Sequence, residues 1–173
     1  MKKRPLIIET ERLVLRPLEE RDRSDFIRMA KDERVNSTYM IPELEDAAHE
    51  NAFFDSMREF TENEERFVFG IALKSGGIVG FINDCELSGT SAEIGYFIGF
   101  EHWNRGYASD ALKAAIDALF MMGYTRLKAG HFAENAASRR VMEKCGMKPL
   151  DGEETLEYKR KTHRCLYMMI EKP

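Results

Sequence analysis

The sequence predicts a mixed α/β fold in one domain, and three observations carry that prediction. A chain of 173 residues, 43% hydrophobic and 32% charged, is long enough for one well-buried core and too apolar to stay unfolded. Its apolar periodicity is helical in the first third and turns strand-like from Phe67 onward. The best helix, residues 105–122, lies between two strand-like runs, which is the pattern of a β-α-β crossover.

The elements follow in order. Leu13, Leu15 and Leu18 mark a first short strand. Asp22 or Ser24 caps a helix over residues 25–31, whose apolar face is Phe26, Ile27, Met29 and Ala30. After Pro42, residues 43–65 read as a longer helix through Ala47, Phe53, Phe54, Met57 and Phe60. Residues 67–73 and 78–87 are strands joined by the hairpin signal Lys74-Ser75-Gly76-Gly77. Ser88-Gly89-Thr90-Ser91 turns the chain into a strand over residues 92–100. In the strong helix, Ala108, Ala111, Leu112, Ala115, Ile116 and Leu119 form one stripe, and Gly123 ends it. A strand over 127–132, a helix over 135–145 closed by Gly146, and strands over 155–159 and 165–170 complete the chain.

Several function classes are excluded. No uncharged apolar run approaches the ~18 residues of a membrane span. Met1-Lys2-Lys3-Arg4 is basic, but Glu9 and Glu11 follow where a signal peptide needs an apolar stretch. A net charge of −4 argues against a general nucleic-acid binder. Cys85, Cys145 and Cys165 are odd in number and widely spaced, so they predict neither disulfides nor a zinc site but small buried apolar side chains in a reduced, cytoplasmic protein. His49, His102, His131 and His163 lack metal-ligand spacing, so no metal is expected. Gly89-Thr90-Ser91-Ala92-Glu93 lacks the closing glycine of a serine-hydrolase elbow.

Two segments carry chemistry. In His102-Trp103-Asn104-Arg105-Gly106-Tyr107-Ala108-Ser109, the amides from Arg105 to Ser109 open a helix, where the macrodipole favours an anion, and Arg105 adds a full charge. That is a phosphate cradle, although neither a P-loop nor a dinucleotide fingerprint is present. The bland alternative is an ordinary glycine-containing start to a helix. One strand later, Asn135 opens the next helix with Ser138 one turn in, looking along the same opening.

Together these segments resemble the GNAT superfamily of acetyl-CoA-dependent N-acyltransferases, in the form of its RimJ/RimL-type members. Trp103-Asn104-Arg105-Gly106-Tyr107-Ala108 is similar to the family's acyl-CoA motif, with Trp103 and Asn104 departing from its usual residues. The segments 10–18, 92–99 and 130–135 resemble its opening, fourth and fifth strands, so the resemblance covers nearly the whole chain. It implies a twisted mixed sheet of six or seven strands, flanked by helices on both faces, in a single domain spanning 1–173. It further implies acetyl transfer from acetyl-CoA to a primary amine, a protein N-terminus or a small molecule, by direct attack in a ternary complex.

By the resemblance, Arg105, Gly106, Tyr107, Ala108 and Ser109 hold the pyrophosphate. Backbone groups of Phe97, Ile98 and Gly99 pair with pantetheine, Asn135 binds its arm, and Arg140 with Lys144 reaches toward the 3′-phosphate. Glu93 is the expected general base, against the alternative of a solvent-facing strand carboxylate. Many members carry a tyrosine seven residues after the helix-opening Asn as general acid. That position is Met142 here, and Ser138 is the nearest hydroxyl on the helix. The missing tyrosine also admits a catalytically silent acyl-CoA-binding or regulatory module. Residues 43–65 hold nine acids against Arg58 alone, a surplus that favours a cationic acceptor if this region walls the acceptor site. The expected partners are an amine substrate, with no nucleic acid and no membrane, for a monomer or homodimer.

Overall fold

The computed structural model describes residues 3–173, so Met1 and Lys2 of the basic start lie outside the described residues. Eight strands form one sheet: β1 (Ile8–Glu9), β2 (Leu13–Arg16), β3 (Val68–Leu73), β4 (Ile78–Ser88), β5 (Ser91–Ile98), β6 (Arg126–Phe132), β7 (Lys148–Tyr158) and β8 (Lys161–Glu171). Their spatial order is β1-β2-β3-β4-β5-β6-β8-β7. Neighbours are antiparallel except β5 and β6, which run parallel because a helix crosses over between them. The strand beyond the expected six or seven is β1, a two-residue pairing with β2 too short to leave a periodic signal.

The helices are α1 (Arg23–Lys31), α2 (Glu33–Asn36), α3 (Ala47–Glu62), α4 (Tyr107–Met122) and α5 (Ala136–Lys144). They cover both faces of the sheet, and strand alternation, reset in β4 by a β-bulge at Val79, assigns each residue to a face. Along β4, Val79 and Ile82 join the core under α4 and α5, while Ile78 and Phe81 join the core under α1, α2 and α3. Phe26 of α1 centres the second core, its ring 5.5 Å from Phe81 and 5.6 Å from Phe54 in edge-on contacts. No helix among the described residues is long and apolar enough to cross a membrane.

Several boundaries moved for identifiable reasons. The helix expected over 43–65 starts at Ala47, because Asp46 caps it by accepting a hydrogen bond from the His49 amide at 2.9 Å. Asp22 does not cap α1 with its side chain; its carboxylate accepts from Arg16 at 2.7 and 2.9 Å instead. The strand expected over 155–159 is an 11-residue strand that starts at Lys148 and ends at Tyr158, with Lys159 in the turn. Its exposed, charged first half hides the alternation.

Candidate active site

The sheet opens between β5 and β6. The two pair only at Ser91–Arg126, Ala92–Leu127 and Glu93–Lys128. Beyond that point β5 continues with β4 alone, and β6 with β8 alone. The facing edges of residues 94–98 and 129–132 therefore diverge as a fork, with backbone groups unpaired toward each other.

The fork refines one expectation. The Gly99 amide donates to the Val79 carbonyl at 2.8 Å, and alternation turns Phe97 toward β4 as well. Tyr96 and Ile98, rather than Phe97 and Gly99, direct backbone groups at the opening. The Ile98 carbonyl already accepts from the Trp103 indole at 2.7 Å, which leaves the Ile98 amide as the free donor. Trp103 thus has a structural task that its place in the motif did not suggest.

The chain then enters α4 through two left-handed residues, Asn104 (φ 59°) and Gly106 (φ 80°). They turn it so tightly that the helix starts at Tyr107, not at 105, and Arg105 lies in the turn. Gly106 is the cap residue and no side chain caps this helix, so the amides of Tyr107, Ala108 and Ser109 keep no helical partner. The first helical bond there is Asp110 N–H to the Gly106 carbonyl, at 3.1 Å. Three open amides, the helix dipole and the exposed Arg105 make a cationic surface.

Asp110, in the same first turn, would oppose an anion there. Arg12 answers it, donating to the Asp110 carboxylate at 2.9 and 2.7 Å and to the Arg105 carbonyl at 2.8 Å. It also lies 4.9 Å from the centre of the Tyr107 ring. The bond to Asp110 holds the Arg12 guanidinium above its ordinary range. Sequence reading missed Arg12 as a part of this site, since nothing local links positions 98 residues apart.

The second helix start faces the fork too. The Asn135 side-chain oxygen accepts from the Ser138 amide at 3.1 Å, which fixes the side chain and leaves its NH2 group as a donor for a ligand. Ser138 Oγ lies 3.1 Å from the Tyr96 hydroxyl, which also donates to the Ser138 carbonyl at 3.3 Å. Burial raises the Tyr96 phenol well above its usual range, so it stays protonated. Met142 is turned into the core and 1% exposed. Arg140 is exposed, and Cys145 of the turn after α5 donates to the Ser109 carbonyl at 3.4 Å, which ties the two helices side by side.

Glu93 stands at the vertex of the fork, on the α1–α3 face. Its carboxylate meets the Lys128 ammonium at 2.8 Å, and Glu86 lies opposite on β4 beside an irregular step in the register. It is therefore no freely solvated strand carboxylate. Burial is the strongest single influence on Lys128 and works against its charge, but the bond and charge of Glu93, with the charges of Glu154 and Glu86, together outweigh it and hold the ammonium above its ordinary range. Lys128 also lies 4.3 Å from the Tyr167 ring centre, and Tyr167 donates to Glu154 at 2.7 Å. On the same face Gly95 and Gly130 keep the packing tight, so a side chain at either would have to push its neighbours aside by a few tenths of an ångström. An added Cβ would stand 3.0 Å from Cys85 Sγ at Gly95 and 3.0 Å from Tyr167 at Gly130.

The cysteines depart from expectation. Cys165 is buried, but Cys145 is only half-buried and Cys85 is exposed. Where the Cys85 thiol meets the Gly95 backbone, desolvation and the Glu93 carboxylate push it up to about 12, far from an acyl-carrying nucleophile. His131 is buried, its Nδ1 2.8 Å from the Phe132 carbonyl, in keeping with a structural role.

The acidic surplus of 43–65 is also smaller in space than in sequence. Glu50 pairs with Lys31, Asp55 with Arg23 and Glu64 with Lys3. Beyond α2, the loop toward α3 is held by the far end of the chain. The Tyr158 hydroxyl donates to the Asn36 carbonyl at 2.6 Å and accepts from the Ile41 amide at 3.1 Å. Neighbouring Lys159, in the left-handed region at φ 49°, bonds Asn36.

Residues 12–148 match the model of the acetyltransferase (GNAT) domain family. The chain is 27% identical over 145 residues to the uncharacterized N-acetyltransferase YoaA of Bacillus subtilis strain 168, across 81% of each chain. Its fold is similar to that of a GNAT-family acetyltransferase from Bacillus anthracis, with a TM-score of 0.77 and 26% identity, covering 95% of this chain and 98% of that one. RimJ of Mycobacterium smegmatis, solved in complex with CoA-disulfide, shares the fold at a TM-score of 0.78 and 19% identity, covering 99% of this chain and 90% of that one.

Proposed function

The chain belongs to the GNAT acetyltransferase family, acetyl-CoA-dependent N-acetyltransferases, and from that premise we propose that it moves an acetyl group to a primary amine by direct attack in a ternary complex. The acceptor is a protein N-terminal α-amine or a small-molecule amine. The observation that carries the reading is the β5–β6 fork, flanked by the starts of two helices of which α4 has its first amides uncapped. An extended chain with alternating amide donors and acceptors fits such an edge as an added strand fits a sheet.

In this mechanism the amides of Tyr107, Ala108 and Ser109, with Arg105 and the Gly106 turn, bind the pyrophosphate. The Ile98 amide donates into the fork and polarises the thioester carbonyl. The Asn135 NH2 group holds the pantetheine arm, and Arg140 attracts the remaining phosphate. Glu93 accepts the proton that the acceptor ammonium must lose, while Lys128 fixes the orientation of that carboxylate. Ser138 gives its proton to the departing thiolate.

The competing reading is a catalytically silent acyl-CoA-binding or regulatory module, favoured by Met142 in place of the family's tyrosine. Thiol release from acetyl-CoA, measured with a panel of amines and peptides, separates the two. Turnover that requires both acetyl-CoA and an amine is the expected result. CoA binding without turnover on any amine would establish the silent module instead.

A further inference from the structure

Beyond the roles proposed above, we infer that Tyr96 is a positioning residue for acetyl transfer, whose phenol holds the Ser138 hydroxyl for proton delivery and steadies the oxygen as its proton leaves. The inference rests on the reading of Ser138 as general acid.

The geometry is unusual in its economy. Tyr96 projects from β5 on the α4–α5 face and reaches across the mouth of the fork to α5. There its hydroxyl oxygen lies 3.1 Å from Ser138 Oγ and 3.3 Å from the Ser138 carbonyl. The Ser138 amide is held separately, at 3.1 Å, by the Asn135 side chain. Ser138 is thus fixed at its amide, its carbonyl and its hydroxyl by two residues from different elements. Met142, where the family carries a phenol on α5, faces the core with 1% exposure. The phenol nearest the candidate acid comes instead from the opposite wall of the fork.

The roles of donor and acceptor follow from chemistry. A buried phenol that keeps its proton is a standing donor, and its sharing between the Ser138 carbonyl and Oγ leaves Ser138 free to direct its own proton elsewhere. In the leaving-group step the Ser138 O–H bond breaks and an S–H bond forms on the thiolate. A proton from water passes to Ser138 Oγ in the same event, so only partial negative charge develops there, and the Tyr96 O–H bond stabilises it. Tyr96 keeps its proton throughout, so no tyrosinate forms in the buried site.

A four-cornered kinetic cycle of the whole protein, Tyr96→Phe, Ser138→Ala and the double variant, tests the inference. Tyr96→Phe should lower kcat about 10-fold, the scale of one proton-transfer partner, while CoA affinity and the KM for acetyl-CoA stay put. The loss should vanish in the Ser138→Ala background, because residues acting through one bond are not additive. Independent, multiplying losses overturn the inference, as does a Tyr96→Phe protein with unchanged kcat beside an impaired Ser138→Ala. Loss of fold and CoA binding together in Tyr96→Phe overturns it too, since the phenol would then belong to the frame rather than the reaction. If Ser138→Ala alone turns over normally, the reading of Ser138 as acid falls first and takes this inference with it.

Discussion

The Arg12 guanidinium grips the Asp110 carboxylate with two hydrogen bonds, 2.9 and 2.7 Å long, and so ties the start of β2 to the first turn of α4. Two consequences follow: Asp110 is neutralised beside the open amides, and the Gly106 turn is buttressed from outside. Arg12→Ala should raise the KM for acetyl-CoA on the order of fivefold, the scale of an exposed but well-aligned pair, with kcat little changed. Asp110→Asn should do less harm, because it removes the opposing charge along with the tether. Steady-state kinetics on the two variants check the order.

Gly106→Glu should abolish the thermal shift that CoA and acetyl-CoA otherwise produce by binding the folded state. At φ 80° a side chain is strained, its Cβ would stand 3.0 Å from Arg12, and its carboxylate would enter the anion's place. Gly89→Glu is the matched control. It is also left-handed, at φ 57°, but nothing lies within 4 Å. Both variants should lose on the order of 1 kcal/mol of stability, and only the first should lose the ligand response. Wild-type protein that shows no shift with either ligand would refute the cradle.

Glu93 and Lys128 should separate through pH. Glu93→Gln removes the basic lone pair, so the acidic limb of kcat/KM should disappear and the rate at neutral pH should fall. Lys128→Met frees the carboxylate from its 2.8 Å tether and should lower kcat while leaving acetyl-CoA affinity unchanged. Stability has its own signature. Because Lys128 titrates above its ordinary value in the fold, its contribution is present at neutral pH and lost as pH rises beyond about 10. Melting temperatures taken between neutral and strongly alkaline pH should fall less steeply for Lys128→Met than for wild type.

Asp22 and Arg16 form the buried counterpart, with side-chain exposures of 3% and 12%. Burial disfavours the Asp22 carboxylate more than any one contact favours it, yet the Arg16 bond, the Glu19 amide and the charges of Arg16 and Arg21 together outweigh burial and hold the acid below its ordinary value. Its contribution is therefore present above about pH 4 and lost as pH falls through the lowered value. Asp22→Asn leaves Arg16 with only the more distant Glu19 carboxylate, 3.6 Å away, and should cost about 3 kcal/mol, read as a lower urea midpoint at unchanged slope. Acid unfolding of the variant should also be less steep.

The fold was legible where periodicity was strong and local. The α4 stripe from Ala108 to Leu119 and the Gly76-Gly77 hairpin lie where their residues put them. Gly106 and Ser138 were legible as a turn and a hydroxyl at helix starts, since capping is a local property. What escaped reading was contact across distance. Arg12 on Asp110, Lys128 on Glu93 and Tyr96 on Ser138 join strands and helices 35 to 98 residues apart, and no spacing rule connects them. Acidity misled in the same way: the surplus over 43–65 is real in sequence, but Lys31 and Arg23 of α1 take up part of it in space. The direction of Phe97 and Gly99 needed the strand register, which only pairing reveals.

The Tyr158 hydroxyl, bonded to Asn36 and Ile41, sets an order of events during synthesis. A nascent chain emerges from its N-terminus, so residues 36–41 are made long before their anchor, 117 to 122 residues later, exists. Loop closure over that distance comes late, after the local hairpins and helices have formed. The segment beside α2 therefore passes most of translation unanchored, and the last turn of the sheet to be made is what fastens it. A chain stopped short of residue 158 would lack this anchor and all of β8, with which both β6 and β7 pair, so the α2–α3 loop and the far edge of the sheet are completed together at the end of synthesis.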